Sequence, residues 1–194
     1  MSSLQDKINL LKNHVNEYPD FPKTGILFRY YSTEVKCILR CNYRDLFSVF
    51  QEPEIARTLR DVLIEFAAKV TPPVECIVAV DARGFLLGPL IALELKVPFV
   101  PIRKRGKLPG KVCSVSYTLE YGEDTLEIQE GSVKKNQSVL IVDDLLATGG
   151  SLSTACKLVE KLGGKVAACL VVMELTQLKG RSQISADVVS LIQY

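Results

Sequence analysis

The feature that most constrains the fold of this chain is an apolar run that ends in two acids and leads into a glycine turn. Residues 139–142 read Val-Leu-Ile-Val, Asp143 and Asp144 follow, and Ala-Thr-Gly-Gly-Ser occupies residues 147–151. A continuous apolar run of this kind is typical of a parallel strand that is buried on both faces. Open α/β sheets bind their ligands beyond the carboxyl ends of such strands. The run therefore predicts both a buried sheet and the edge at which a site lies.

The rest of the chain alternates between strand and helix patterns. Helices are predicted at residues 2–17, 52–70, 84–95 and 151–162, and strands at 25–29, 76–81, 97–102, 138–144, 166–175 and 188–192. Residues 115–121 and 125–129 are predicted to form a hairpin, with Gly122-Glu123-Asp124 as its turn. This alternation predicts an α/β fold with a doubly wound, mostly parallel sheet. Because no linker or repeat divides the chain, we expect a single domain over residues 1–194.

Composition excludes several classes of protein. Hydrophobic residues make up 47% of the chain and charged residues 24%, as in ordinary globular proteins. Lys and Arg number 24 against 22 Asp and Glu, a net charge of +2. That balance argues against nucleic-acid and membrane-surface partners. No apolar run approaches the ~20 residues that cross a bilayer.

Histidine and cysteine usage bears on which metal sites the chain could form and on the compartment in which it is expected. His14 is the only histidine, and the six cysteines contain no CxxC pair, so a zinc site is not expected. The first residues are amphipathic and charged, unlike a signal peptide. We therefore expect reduced thiols and a cytoplasmic location.

The turn at residues 147–151 has the chemistry of a monophosphate cradle. Glycines allow the backbone to approach an anion closely, and a helix N-terminus supplies free N–H groups and a positive dipole end. Asp143 and Asp144 stand beside it, suited to ribose hydroxyls or Mg²⁺. Neither a Walker loop nor a GxGxxG dinucleotide motif is present. The competing interpretation is an ordinary strand-to-helix turn with a serine cap.

Three further segments carry groups suited to a phosphorylated substrate. Arg83 follows the strand that ends at Asp81, where it could grip a pyrophosphate or be an ordinary surface arginine. Residues 103–111 hold five cations and two glycines, which predicts a basic loop that is either a solvated surface or an anion clamp. Glu120 lies between two tyrosines on the predicted hairpin, as a strand-edge residue or a catalytic acid.

Residues 139–151 resemble the signature of the type I phosphoribosyltransferases, which bind phosphoribosyl pyrophosphate. Members of this family that act on adenine are similar in further segments. These segments are Pro-Asp-Phe-Pro at 19–22, Gly-Ile-Leu-Phe-Arg at 25–29, Arg-Lys-Arg-Gly-Lys-Leu-Pro-Gly at 103–110, Ser-Tyr-Thr-Leu-Glu-Tyr-Gly at 116–122, Leu-Glu-Ile-Gln at 126–129 and Glu-Leu-Thr-Gln-Leu-Lys-Gly-Arg at 174–181.

The resemblance implies a purine-salvage transferase that converts adenine and phosphoribosyl pyrophosphate to AMP and pyrophosphate with Mg²⁺. It also implies a homodimer, and a small N-terminal hood at about residues 18–50 over the base site. Glu120 matches the proposed general acid/base, and the peptide between Asp81 and Ala82 is expected to be cis. Mg²⁺ would be held mainly by the substrate pyrophosphate, near Asp143 and Asp144. The residues that match substrate-binding positions are Leu27, Arg29, Arg83, Lys104, Tyr121, Asp143, Asp144, Ala147, Thr148, Gly149, Gly150 and Ser151.

One segment departs from the family pattern. Family members continue from Phe-Arg directly to Asp, whereas residues 30–44 separate Phe28-Arg29 from Asp45 here. We interpret residues 30–44 as an insertion, and either Arg29 or Arg44 could take the place of the family arginine. Because the insertion lies beside the base site, a non-catalytic nucleotide-sensing protein on the same fold is the alternative function. A phosphoribosyltransferase for another base is a third possibility, against which the adenine-type segments argue.

Overall fold

The structure, a computed structural model, describes residues 3–19, 28–32, 35–39, 42–119 and 122–194. Contacts within the chain define two compact units, residues 1–59 and 60–194. Among the described residues, no helix is both long and apolar enough to cross a membrane.

The α-helices are α1 (Leu4–His14), α2 (Phe47–Phe50), α3 (Pro53–Ala67), α4 (Gly88–Leu95) and α5 (Gly150–Lys161). Three short 3₁₀ helices span Arg83–Leu86, Thr176–Leu178 and Gly180–Gln183. The strands are β1 (Asn16–Tyr18), β2 (Phe28–Ser32), β3 (Val35–Leu39), β4 (Tyr43–Asp45), β5 (Cys76–Val80), β6 (Phe99–Lys104), β7 (Val112–Leu119), β8 (Gly122–Gln129), β9 (Ser138–Leu146), β10 (Lys165–Glu174) and β11 (Val188–Gln193).

The first unit contains two short antiparallel ribbons. Strand β1 pairs with β4, and β2 pairs with β3. The Ser48 Oγ lies within hydrogen-bond distance of two carbonyl oxygens, those of His14 at 2.6 Å and Asp45 at 2.7 Å, which ties the end of α1 to β4. Ser3 and Asp6 form a capping box at the start of α1, so this helix is shorter at both ends than the sequence predicts.

The second unit is built on a seven-stranded sheet with the order β11-β10-β9-β5-β6-β8-β7. The five strands β11, β10, β9, β5 and β6 are parallel, and β8 and β7 join the edge in antiparallel pairing. This confirms the predicted doubly wound, mostly parallel sheet.

Helices cover both faces of this sheet. Val78 and Val80 of β5 belong to the buried cluster that includes Leu158 and Val159 of α5. Ala79, which points to the opposite face of the strand, lies against Gly88 at the start of α4. A β-carbon on Gly88 would be only 3.0 Å from that of Ala79, so α4 packs closely on β5. Burial on both faces explains why β5 is apolar throughout.

The strand order places two chain turns side by side. From β5 the chain proceeds to β6 on one side, whereas β9 pairs with β5 on its other side and continues to β10. The order therefore reverses between β5 and β9, with Val78 opposite Ile141. Because these strands are parallel, their carboxyl ends meet at the same edge, and a crevice opens at such a switch point.

Two local predictions are wrong. Gly122-Glu123-Asp124 is not a turn, because these residues lie in β8 and pair with Leu119, Thr118 and Tyr117 of β7. The helix predicted at residues 84–95 is two elements, a 3₁₀ turn and then α4. A β-carbon on Gly84 would come within 2.8 Å of the Val142 carbonyl oxygen, so the 3₁₀ turn is packed against β9.

Candidate active site

A cleft of about 260 Å³ opens at the switch point, between the turns that follow β5 and β9. The sequence predicts Arg83, Asp143, Asp144 and residues 147–151 as site residues, and the structure brings all of them together here. The lining residues are Val80, Asp81, Ala82, Arg83, Asp143, Asp144, Leu145, Leu146, Ala147, Thr148, Gly149, Gly150, Ser151 and Leu152.

The glycine turn after β9 presents a helix N-terminus to this cleft. Gly149 adopts a φ of 88°, a conformation that L side chains rarely take, and α5 begins at Gly150. No side chain caps the helix, and the Gly149 carbonyl accepts the first helical hydrogen bond from the Ser153 N–H at 2.8 Å. The N–H groups of the first turn of α5 are thus available to a ligand. Together with the helix dipole, they form an anion-binding site.

The two acids near the carboxyl end of β9 have different surroundings. The Asp143 side chain is buried and its Oδ1 accepts the Asp144 N–H at 2.9 Å. Burial, and next the Asp144 carboxylate, raise the pKa of Asp143 well above its ordinary value. Asp144 accepts a 2.5 Å hydrogen bond from Arg83 Nε, so its charge is compensated. The two neighbouring acids therefore differ in electrostatic surroundings: one is buried, and the other is paired with an arginine.

The turn after β5 carries the second set of charges. The peptide between Asp81 and Ala82 is cis, as the family resemblance implies. Asp81 accepts a hydrogen bond from Arg103 Nε at 3.0 Å, and Arg103 in turn donates to the Lys107 carbonyl at 3.2 Å. The β5 turn is therefore linked to β6 and the residues after it through Arg103, which belongs to the segment predicted as a solvated surface or an anion clamp.

The basic segment is only partly the loop that the sequence predicts. Arg103 and Lys104 lie in β6 and pair with Glu127 and Leu126 of β8. Lys104 is not among the residues that line the cleft. Its Nζ lies 3.1 Å from Asp124 Oδ2, and this hydrogen bond and the charge of Asp124 raise the pKa of Lys104. The lysine is thus held by Asp124 of β8.

Tyr117 reaches the helix N-terminus from the hairpin. The Tyr117 hydroxyl lies 3.4 Å from both Ser151 Oγ and Asp124 Oδ2. Its ring would be 3.3 Å from a β-carbon on Gly150, so it covers the start of α5. The sequence shows Tyr117 only as one of two tyrosines near Glu120, and its place over Gly150 depends on a long-range contact.

The remaining predicted site residues fall outside what the structure can test. Leu27, Glu120 and Tyr121 lie outside the described residues. Arg29 lies in β2, where only the backbone is described. The predicted strand at 25–29 is described from Phe28 onward.

Comparisons with known proteins agree with this geometry. Residues 49–193 match the family model described as "Phosphoribosyl transferase domain". The fold is thus that of the phosphoribosyltransferase class. The chain is 48% identical over 192 residues to the adenine phosphoribosyltransferase of Drosophila pseudoobscura pseudoobscura, with 99% of this chain and 98% of that one covered.

Solved structures give the same result. The adenine phosphoribosyltransferase of Thermoanaerobacter pseudethanolicus superposes with a TM-score of 0.83 at 39% identity, over 96% of this chain and 99% of that one. The Saccharomyces cerevisiae enzyme, complexed with D-2,5-dideoxy-2,5-imino-altritol 1,6-bisphosphate and adenine, has a TM-score of 0.83 at 38% identity, over 96% and 98%. The chain therefore belongs to the adenine phosphoribosyltransferase family.

Proposed function

We propose that this protein is a purine-salvage enzyme that transfers the phosphoribosyl group of phosphoribosyl pyrophosphate to adenine, yielding AMP and pyrophosphate. The observation that carries the proposal is the cleft between β5 and β9, where an uncapped helix N-terminus adjoins two acids and an arginine. These groups complement the phosphate, the ribose and the pyrophosphate of that substrate.

Each part of the substrate has a counterpart in the cleft. The 5′-phosphate accepts hydrogen bonds from the N–H groups of residues 147–151, since a helix N-terminus favours an anion. Asp143 and Asp144 bond the ribose hydroxyls. Carboxyl oxygens at this position can hydrogen-bond to hydroxyl groups, and the Arg83 contact keeps Asp144 oriented in the cleft.

Arg83 and Lys104 stabilise the leaving group. When the bond from the ribose C1 to pyrophosphate breaks, positive charge develops on the sugar and negative charge on the pyrophosphate. The planar guanidinium of Arg83 lines the cleft and can bind a pyrophosphate with two parallel hydrogen bonds. Lys104 can bind the same anion only if its contact with Asp124 breaks. Fixed cations aimed at developing negative charge lower the barrier.

Mg²⁺ is the cofactor in this proposal. The oxygen donors of Asp143 and Asp144 suit a hard cation, but the described residues contain no group of three or more potential ligands. Such a site fits Mg²⁺ that is held mainly by substrate phosphates and water, with one or two carboxylates nearby. When bound, the ion neutralises charge on the pyrophosphate leaving group.

The base-binding residues come from the family resemblance. Glu120 acts as general acid/base near the adenine N7, and the main chain of Leu27 and Arg29 reads the adenine edge, with Tyr121 nearby. Residues 18–50 are proposed to form the hood over the base within a single 1–194 domain. The insertion at 30–44 leaves open whether Arg29 or Arg44 serves in that hood.

A homodimer in the cytoplasm completes the proposal. Leu86, Leu90 and Leu93 are exposed at intervals of four and three residues along the 3₁₀ turn and α4, with Leu93 78% exposed. Such a stripe suits a contact with a second copy. Cys76, Cys113, Cys156 and Cys169 are free thiols, as is usual in a reducing compartment. Light scattering of the purified protein tests the dimer.

One assay tests the function. Labelled adenine, guanine and hypoxanthine are incubated separately with the protein, phosphoribosyl pyrophosphate and Mg²⁺, and nucleotide formation is measured. We expect AMP from adenine and no product from the other bases. Binding of AMP without turnover would instead favour the nucleotide-sensing alternative, which no observation on the described residues supports.

A further inference from the structure

The segment after β10 runs alongside the glycine turn. The Leu175 N–H donates to the Leu146 carbonyl at 2.9 Å, so the chain leaves β10 beside the end of β9. Two 3₁₀ turns follow, and the second one begins at Gly180. The sequence suggests no role for this segment beyond the family resemblance.

Gly180 faces Gly149 with no space between them. A β-carbon on Gly180 would lie 2.9 Å from Gly149 N and closer still to the Ala147 carbonyl oxygen. A β-carbon on Gly149 would lie 3.1 Å from the Gly180 carbonyl carbon. These contacts are with backbone atoms, which cannot rotate away as a side chain does. Gly180 therefore defines where the backbone of residues 147–149 can lie.

An ion pair holds Gly180 in this position. Arg181 donates from Nε to Glu174 Oε1 at 3.0 Å and from Nη2 to Oε2 at 2.6 Å, a two-pronged pair. Arg181 also bonds the Val188 carbonyl and, at 3.1 Å, Ser190 Oγ. Glu174 is 5% exposed and receives a further 2.6 Å bond from Ser190. These bonds tie Arg181, the residue next to Gly180, to both β10 and β11.

We propose that Gly180 and the Glu174–Arg181 pair are positioning residues for the anion turn, and that they set the affinity for the 5′-phosphate of phosphoribosyl pyrophosphate. This inference rests on the proposed function. None of the three residues lines the cleft, so they act on a bound phosphate only through the backbone of residues 147–149. A displacement of that backbone misaligns the N–H groups that bind the phosphate.

The test compares Gly180→Ala, Arg181→Gln and Arg181→Lys with a control, Gly164→Ala. A β-carbon on Gly164 would meet the side chains of Val133 and Val159 at 2.7 and 2.9 Å, so the control strains the same unit at the opposite end of α5. For each variant the KM for phosphoribosyl pyrophosphate, the KM for adenine and the melting temperature are measured. Calorimetry with phosphoribosyl pyrophosphate and Mg²⁺ gives the dissociation constant directly.

We expect Gly180→Ala and Arg181→Gln to weaken phosphoribosyl pyrophosphate binding by roughly 10- to 100-fold, with the adenine KM at saturating cosubstrate changed less than about twofold. Arg181→Lys recovers part of the loss, because lysine keeps the charge without the two-pronged geometry. Gly164→Ala lowers the melting temperature only.

Two outcomes overturn the inference and leave the proposed function intact. If the folded variants bind phosphoribosyl pyrophosphate as wild type does and lose only thermal stability, like Gly164→Ala, the ion pair is purely structural. If both KM values rise in parallel, the effect is not specific to the anion turn. A wild-type protein that binds no phosphoribosyl pyrophosphate would refute the proposed function itself, and the inference with it.

Discussion

Arg83 and Asp144 are joined by a 2.5 Å hydrogen bond, although 61 residues separate them in the chain. This bond connects the turn after β5 to the carboxyl end of β9, across the point where the strand order reverses. The carboxylate compensates the guanidinium and fixes its orientation before any ligand binds. This charged contact therefore fixes the position of the β5 side of the cleft relative to its β9 side.

The first prediction concerns that arginine. Arg83→Gln removes a fixed cation from the leaving group and leaves Asp144 without its charge partner, so kcat should fall about 10²- to 10³-fold. Steady-state kinetics with adenine and phosphoribosyl pyrophosphate measure this change. The control is Arg60→Gln, because Arg60 bonds only its exposed neighbour Asp61 among the contacts described. Equal kcat values in the two variants would refute the role of Arg83.

Gly150 tests the anion turn directly. A β-carbon there would already lie 3.3 Å from the Tyr117 ring, and the larger side chain of valine also obstructs the approach of a phosphate. We expect Gly150→Val to weaken phosphoribosyl pyrophosphate binding by about 3 kcal/mol. Gly150→Ala should lose less of this affinity, because the tyrosine ring can shift. Calorimetry of both variants decides it, and an unchanged affinity in Gly150→Val would exclude the cradle.

Glu120 tests the proposed proton transfer to or from adenine. If it is the general acid/base, Glu120→Gln lowers kcat by about 10²- to 10⁴-fold and leaves phosphoribosyl pyrophosphate affinity nearly unchanged. The matched control is Glu130→Gln, an exposed glutamate just beyond the end of β8. A Glu120→Gln variant with normal turnover would leave the residue a structural part of the hairpin.

The Glu174–Arg181 pair predicts an acid-sensitive contribution to stability. The hydrogen bond from Arg181 lowers the pKa of Glu174 below its ordinary value. The folded state therefore favours the ionised form, so the stabilisation is complete above the unfolded pKa of about 4.3 and is lost as the pH falls through the lower folded value. Urea unfolding of wild type and Arg181→Gln from pH 7 to pH 3 measures it.

The difference in unfolding free energy between these two proteins should be largest at neutral pH and shrink below about pH 4. A difference that is the same at every pH would mean that the ion pair contributes through packing and not through charge.

Deleting residues 30–44 tests the insertion. Strands β2 and β3 pair only with each other among the described residues, so most of this segment is a self-contained ribbon. The deletion also removes Arg44, which forms an ion pair with Glu17, but it brings Arg29 next to Asp45. We expect unchanged phosphoribosyl pyrophosphate kinetics and either faster adenine turnover or a lower adenine KM. Identical adenine constants would make the insertion a passive surface segment.

Single substitutions in the full chain distinguish the two arginines. Arg29→Gln and Arg44→Gln are compared by their adenine KM, and the one that serves at the base site should show the larger increase. A melting-temperature measurement separates this effect from loss of the contact between Arg44 and Glu17.

The sheet and the position of the site could be predicted from local sequence patterns. The apolar runs at β5 and β9 specify buried strands, and the glycine turn after Asp144 specifies a helix N-terminus at their carboxyl edge. The predictions that are wrong depend on packing. Gly84 lies so near the Val142 carbonyl that a 3₁₀ turn precedes α4, and cross-strand pairing extends β8 back to Gly122.

By itself the sequence determined which residues carry charge and glycine freedom at the ends of β5 and β9, because those properties are local. Only the tertiary structure decided the partners: Arg83 bonds Asp144, Lys104 bonds Asp124, and Gly180 abuts Gly149. These contacts join residues 20 to 61 positions apart along the chain. No periodic pattern encodes such pairs, since they arise where the sheet brings separate turns to one edge and close packing brings their groups into contact.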